Sequence, residues 1–228
     1  MARNRSRRYR NGIAKIDRTK SYSPAEGISL LKGFPAPKFE EAVEVAVRLG
    51  IDPKKTEQLV RGSVSLPKGT GKSIRIAVFA EGDKAKEALD AGADFVGSAD
   101  LADKIEKGFT EFDMTIASPD MMKYVGKLGR ILGPQGKMPS PKAGTVTPNV
   151  GAAVREFKAG KIEFRTDAGA NVHVAIGRRS FPVQDLEANL RAFVEHLRAL
   201  RPPQAKGAFI KKVCVSTTMG PGVVVQVD

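Results

Sequence analysis

No aspartate or glutamate stands between Asp120 and Glu156, and inside that gap lies the run Gly129-Arg-Ile-Leu-Gly-Pro-Gln-Gly-Lys-Met-Pro-Ser-Pro-Lys-Ala-Gly-Thr-Val146. Its four glycines and three prolines exclude one long helix or strand, because glycine is conformationally permissive and proline fixes φ and removes a donor. Arg130, Lys137 and Lys142 are thus left on a structured loop with no acid nearby in sequence. Such a loop belongs at the surface, where its backbone polar groups are hydrated. The pattern suits a polyanion; a solvated basic loop without a partner is the plainer alternative. Cysteine occurs once, at Cys214, which excludes an internal disulfide framework and fits the reducing cytosol. No apolar run is long enough to span a bilayer and the first twenty residues lack the apolar core of a signal peptide, so no membrane partner is expected.

Catalytic and cofactor patterns are missing as well. Gly69-Thr-Gly71-Lys72-Ser73 imitates a phosphate loop, but Leu66 occupies the place of the required first glycine and a strand, not a helix, is predicted to follow. No Gly-x-Gly-x-x-Gly follows a strand, which removes the dinucleotide fingerprint. At Gly71-Lys-Ser73-Ile the hydrolase elbow fails because Arg75 replaces its last glycine. His173 and His196 fall on a strand and a helix without metal-ligand spacing, and Cys214 reads as a strand side chain. Glu40 and Glu41 are neighbours, so on a strand they point to opposite faces and cannot act as a pair. The chain is read as a non-enzyme with no cofactor and no metal. A small-molecule enzyme built on the middle of the chain is the alternative from another class.

What the sequence does have is positive charge and two kinds of periodicity. Of the net +13 over 228 residues, +7 falls within residues 1–20, where Arg3, Arg5, Arg7, Arg8, Arg10, Lys15, Arg18 and Lys20 face only Asp17. An arm of this kind gains phosphate contacts and steers approach to nucleic acid, mostly without regard to sequence. No amphipathic face is apparent from Arg3 to Arg10. Ser23-Pro24-Ala25-Glu26 is a compact helix start, ended by Gly33. Val43, Val45, Val47, Leu49 and Ile51 alternate as a half-buried strand, and Val60–Leu66 gives a second. From Pro67 onward strands and helices alternate: Ile74–Phe79, a helix at 83–91, Phe95-Val96, a helix near 100–107, Met114–Ala117, a helix opened by Ser118-Pro119, and one more at 149–158. That alternation predicts a small parallel α/β sheet. From Gly160 the pattern turns antiparallel, with a hairpin of Lys161–Arg165 and Val172–Ile176 about a turn at Asp167–Gly169. A long helix follows, with Leu186, Leu190, Phe193, Leu197 and Leu200 on one stripe, then strands near 210–217 and 223–227.

The expected architecture is a mixed α+β and α/β chain of two domains. Residues 1–67 and 160–228 form a discontinuous domain with an antiparallel sheet, and 68–159 form an inserted Rossmann-like parallel α/β domain. Pro67, Lys68, Ala159 and Gly160 mark the crossings as a double hinge. Candidate binding residues cluster on the outer segments. Lys38-Phe39 pairs a cation with an aromatic that can meet a base, although Phe39 also fits a core strand. On the last long strand Lys212, Cys214, Ser216 and Thr218 share a small, polar face that ends at Met219-Gly220, where bare backbone suits close approach to RNA. Arg165, His173, Arg178 and Arg179 could border it.

Taken in order, Lys38-Phe39-Glu40-Glu41, Leu49-Gly-Ile-Asp-Pro53, Val60-Arg-Gly62, Leu128-Gly-Arg-Ile-Leu-Gly-Pro-Gln-Gly136, Met138-Pro-Ser-Pro-Lys142, Gly144-Thr-Val146, Ile162-Glu-Phe-Arg165 and Thr217-Thr-Met-Gly220 resemble the family of bacterial large ribosomal subunit protein one. The resemblance covers nearly the whole chain. It implies a cytoplasmic, ribosome-associated protein of the mobile stalk, monomeric when free, whose partners are large-subunit (23S-type) rRNA, exit-site tRNA and its own operon mRNA. The implied roles are release of deacylated tRNA and repression of that operon. Carried over by position, the implied RNA surface is Lys38, Phe39, Glu41, Arg165, His173, Thr218, Met219 and Gly220. A second-domain contact is implied at Arg130, Gln135, Lys137 and Lys142. Gln135 stands where the family commonly has Arg and Ser140 where it has Asn, departures that imply a weaker second-domain contact; Ala42 also replaces a usual Thr near the first-domain surface. An RNA-binding regulator acting on mRNA alone is the narrower alternative.

Overall fold

The structure is a computed structural model that describes residues 5–227; Arg3, counted in the basic arm, lies outside them. The arm contains a helix that no sequence signal marks, α1 (Arg7–Ile13), which starts where the Ser6 hydroxyl accepts a hydrogen bond from the Tyr9 amide. Its support is tertiary: Gly12 is buried, and a Cβ placed there would lie 3.2 Å from the ring of Pro221. A helix of seven residues is too short to persist through propensity alone. The second helix, α2 (Pro24–Lys32), begins with the full reciprocal cap, Ser23 accepting from the Glu26 amide at 3.3 Å and Glu26 accepting from the Ser23 amide at 3.1 Å.

Strand β1 (Ala42–Leu49) buries Val43, Val45, Val47 and Leu49 and turns Glu44 and Arg48 to solvent. Strand β2 (Arg61–Ser65) follows. The chain then runs through β3 (Ile76–Phe79), α3 (Asp83–Asp90), β4 (Phe95–Gly97), α4 (Ala99–Glu106), β5 (Met114–Ala117), two single-turn helices α5 (Met122–Val125) and α6 (Gly129–Leu132), and α7 (Val150–Lys158). Strand β3 lies between β4 and β5, parallel to both. Each face of this sheet is covered. Ile76, Val78 and Ile116 pack with Val150, Val154 and Phe157 of α7, while Ala77, Phe79 and Ala117 pack with Leu101, Ile105, Val125, Leu128 and Leu132. A strand buried on both faces is continuously apolar, which is why β3 carries no alternation.

The return segment contributes β6 (Lys161–Arg165), β7 (Asn171–Arg178), α8 (Val183–Ala199), β8 (Ile210–Thr217) and β9 (Val223–Val225). The antiparallel sheet has the order β7-β1-β8-β9. The hairpin expected between 161–165 and 172–176 does not form: β6 pairs with β2, β7 pairs with β1, and only a single Thr166–Val172 bridge joins the two segments. The reason is local. The Asp167 carboxylate accepts from the amides of Gly169 (2.8 Å) and Asn171 (2.7 Å), and Ala170 is left-handed at φ 60°, so the chain bends away before a ladder can continue.

Leu186, Leu190, Phe193 and Leu197 of α8 are fully buried, as their spacing predicts, each worth roughly 1.5–3 kcal/mol of apolar burial. Leu200 falls just beyond the helix and is exposed. By its contacts the chain divides into two compact units, one running to Gly71 and resuming at Phe164, the other comprising Lys72–Glu163. Among the described residues no helix is long and apolar enough to cross a membrane.

Candidate nucleic-acid interface

In the first unit the outer face of the antiparallel sheet presents Glu44, Ala46 and Arg48 from β1, His173 and Ala175 from β7, and Lys212, Cys214 and Ser216 from β8. Ala46 stands in register between His173 and Cys214, which makes the middle of the face small-sided, and on the β8 side Tyr9, Ile13 and Ile16 of the arm border Lys212 and Cys214. At one end β8 leaves the sheet through Thr218, Met219 and Gly220. There the Thr218 hydroxyl accepts from the Ala42 amide at 3.0 Å and the Thr218 amide donates to the Ala42 carbonyl at 3.1 Å. That double link brings the turn beside Lys38-Phe39, only three residues before Ala42 in sequence. Phe39 is 53% exposed and Met219 52%, so the core alternative for Phe39 falls away. Two large apolar side chains, Phe39 and Met219, thus stand in solvent, with Lys38 exposed beside Phe39 in sequence.

Glu41 occupies a different position from the other expected contact residues. It is 1% exposed and lies behind the turn, where its carboxylate accepts from Arg179 Nη1 at 2.7 Å and from the Met219 amide at 3.0 Å. Arg179 also donates to the backbone carbonyls of Lys32 (2.9 Å) and Phe34. Glu41 therefore holds the turn from inside and offers no surface to a ligand. Gly220 is equally constrained: a Cβ there would meet the buried Thr217 hydroxyl at 2.2 Å, so only glycine lets the turn close. The adjacent Glu40 is exposed and accepts from the Ser180 hydroxyl, as opposite faces require.

Four residue steps along β1 lead from Ala42 to Ala46, so His173 lies roughly 13 Å along the sheet from the Thr218 turn. Arg165 ends β6 in solvent, and His173 Nε2 lies 3.5 Å from Asp167 Oδ2. Two bonds from Asn171 and one from the Gly169 amide hold the Asp167 carboxyl below the usual carboxylate range. Of the residues expected at the site, His173 and the Thr218 turn stand along the β7-β1-β8-β9 sheet, whereas Arg165 belongs to the separate β2-β6 pair. Arg48, in register with Lys212, was not singled out, although the alternation of β1 places it on that face. Cys214 is half-buried, and desolvation pushes its thiol up, away from nucleophilic duty.

In the second unit Arg130, Gln135 and Lys142 are exposed, joined by Lys123 and Lys127 on the preceding turns. Lys137 is used differently. Its ammonium donates to the Thr110 carbonyl at 3.0 Å and sits 5.1 Å from the Phe112 ring centre, which ties the Gly-Pro loop down. Ser140 shapes the same loop through bonds with the Thr145 hydroxyl at 2.7 and 3.1 Å. Pro67 and Lys68, expected at a crossing, fall within the first unit and are exposed, yet the Lys68 amide donates to Asn189 Oδ1 at 3.0 Å. The fully buried Asn189 amide also donates to Gly69 O (2.9 Å) and Ile176 O (2.8 Å). Ala159 and Gly160 close α7, with Gly160 at φ 112°. Among the described residues no group of His, Cys, Asp or Glu has the arrangement of a metal site.

A family model described as the ribosomal protein L1p/L10e family matches residues 31–221, a span that includes the sheet face, the Thr218–Gly220 turn and the inserted unit. The chain belongs to that family. Curated relatives agree. A protein of Nitrosomonas europaea named large ribosomal subunit protein uL1 is 53% identical over 218 residues, 96% of this chain and 95% of the relative. Its namesake from Kosmotoga olearia is 52% identical over 219 residues with the same coverage, and that of Laribacter hongkongensis 55% over 210 residues, 92% of this chain and 90% of the relative. Members of the family are structural constituents of the ribosome and not enzymes.

Proposed function

We propose that this protein binds large-subunit, 23S-type rRNA through the outer sheet face of its first unit, with Lys38, Phe39, Thr218, Met219 and Gly220 as the specific end, His173 as the far end, and Arg165 of the neighbouring β2-β6 pair as a further contact. The observation that carries the reading is the pairing of two exposed apolar side chains, Phe39 and Met219, with a turn whose backbone is fixed from behind by Glu41. A rigid, solvated turn with an aromatic beside it suits unstacked bases and 2′-hydroxyls of folded RNA. Arg48, Lys212 and Arg165 supply phosphate contacts that set register. In the second unit Arg130, Gln135 and Lys142 make a weaker RNA contact while Lys137 supports the loop.

The protein works in the cytoplasm, associated with the ribosome at the mobile stalk, and is a monomer when free. Movement of the inserted unit at the paired crossings near Pro67–Lys68 and Ala159–Gly160 assists release of deacylated tRNA from the exit site. The same face represses translation of its own operon by taking a site in the mRNA that imitates the rRNA. The tests separate these roles. The protein added to large subunits lacking their own copy should co-sediment with them in a sucrose gradient, and a Phe39→Ala, Met219→Ala double variant should remain at the top. Binding to the operon mRNA with no association with subunits would instead support the regulator acting on mRNA alone.

A further inference from the structure

The arm's arginines are not equivalent. Arg5, Arg7, Arg10 and Arg18 are exposed, whereas the Arg8 side chain is only 25% exposed. Its Nη2 donates to the Met219 carbonyl at 3.2 Å, and its Nη1 lies 3.6 Å from Glu41 Oε1. The same carboxylate oxygen accepts from the Met219 amide at 3.0 Å. Both backbone polar groups of Met219 are therefore held by one charge pair, the amide by Glu41 and the carbonyl by Arg8. The helix that carries Arg8 is itself seated on this turn. Gly12 lies close against the rings of Pro221 and Phe34, and Lys15 Nζ donates to the Gly33 carbonyl at 3.3 Å.

We infer that Arg8 is a positioning residue of the specific RNA site, so that the arm helps set the shape the RNA reads as well as supplying charge. The inference rests on the reading that the Met219 turn recognises RNA. A guanidinium suits this place because its planar fork can bridge a carboxylate and a carbonyl at once, which a lysine ammonium cannot do with fixed geometry. Because the fork faces inward, Arg8 releases no counterion when RNA binds. Arg7 and Arg10, pointing outward, do.

Salt dependence distinguishes the two jobs. Each phosphate contact lowers log affinity against log salt by close to one in slope, whereas a positioning group leaves the slope alone and changes the preference between RNAs. Affinity of the full-length chain would be measured at several salt concentrations for a stalk-junction rRNA and for a scrambled RNA of the same length. Arg8→Ala is expected to cut affinity for the junction RNA roughly ten-fold, the size of one lost charge-assisted hydrogen bond, with the slope and the scrambled-RNA affinity unchanged. Arg8→Lys, which keeps the charge, is expected to recover little of that loss. Arg7→Ala and Arg10→Ala are expected to do the reverse, flattening the slope while the preference holds. Without any RNA, Arg8→Ala should also speed hydrogen exchange at the Met219 amide relative to the α8 core, because the carboxylate that accepts from it loses its clamp. A slope flattened by about one in Arg8→Ala assigns Arg8 to a phosphate and overturns the inference, as does full recovery by Arg8→Lys or an unchanged Met219 exchange rate. If the unaltered protein itself shows no preference for the junction RNA, the proposed function fails and this inference with it.

Discussion

Replacing Glu41 by Gln removes one negative charge from the inside of the molecule and changes almost nothing else in shape. Its neighbour Arg179 has a side chain only 15% exposed and makes a 2.7 Å bond to the carboxylate. Breaking a buried pair by neutralising one partner costs about 3–5 kcal/mol when nothing compensates. Here two backbone carbonyls, Lys32 O and Phe34 O, still accept from Arg179, and a glutamine oxygen can still receive the Met219 amide. Those remaining acceptors bring the expected loss down to about 2 kcal/mol, still a sizeable share of the 5–15 kcal/mol typical of a domain. Hydrogen exchange at the slowest amides of α8, followed under native conditions, reports the opening of the first unit by itself. Those amides should exchange roughly thirty-fold faster in Glu41→Gln, the rate equivalent of 2 kcal/mol, while the β3 amides of the second unit stay unchanged. A change of less than about two-fold at α8 would show that the carboxylate charge is not what holds this corner, and the account of the turn's rigidity would fall.

Phe39→Ala should leave stability within about 0.5 kcal/mol, because the ring is more than half exposed, yet lower junction-RNA affinity by about 1–3 kcal/mol if a base stacks on it; urea unfolding and a binding titration check the two halves separately. Asn189→Leu leaves the Lys68 amide and two carbonyls, Gly69 O and Ile176 O, without their buried partner, an expected loss of about 2–4 kcal/mol seen as a lower urea midpoint. Asp113 is held below the usual carboxylate range chiefly by its bond from the Lys72 ammonium, then by the Arg75 amide. A depressed folded value means the stabilisation is present above the unfolded value near 3.9 and disappears as pH falls through the depressed one. Asp113→Asn should accordingly weaken the second unit at pH 7, with a gap from the unaltered protein that closes on acidification; a gap independent of pH contradicts the assignment.

Local signals in the sequence survived into the structure, and non-local ones did not. The Ser23–Glu26 cap and the Leu186–Leu197 stripe depend on residues within a few turns of one another, and both appear as read. Strand–helix alternation likewise gives the parallel sheet of the middle unit, because a strand covered on both faces must be apolar throughout. Partner choice was another matter. Strand β6 looked like half of a hairpin, yet its partner β2 lies about a hundred residues earlier, and nothing in either strand's alternation names the other. The burial of Glu41 depends on Arg179, 138 residues away, so a charged residue in a contact motif read as a contact. The arm read as a carrier of charge because its tertiary anchors, among them Pro221, Glu41 and the Met219 carbonyl, are remote in sequence. Asn189 interrupts nothing in its stripe and gave no sign that it gathers three backbone groups. The exposure of the proposed contacts has a simpler reason. Phe39 and Met219 are apolar residues at positions where the strand pattern has run out.

The central claim is that specificity for RNA resides in the first unit's sheet face and its Met219 turn. The most direct measurement is the ratio of affinities for stalk-junction rRNA and a scrambled RNA of equal length, at fixed near-physiological salt, for the unaltered chain, the Phe39→Ala, Met219→Ala double variant, and an Arg130→Ala, Lys142→Ala double variant of the second unit. The account expects a large ratio for the unaltered chain, on the order of a thousand by analogy with other specific nucleic-acid binders. It expects that ratio to collapse in the first variant and to persist in the second, whose affinity falls for both RNAs alike. A ratio that survives loss of Phe39 and Met219, or that vanishes with Arg130 and Lys142, would contradict it.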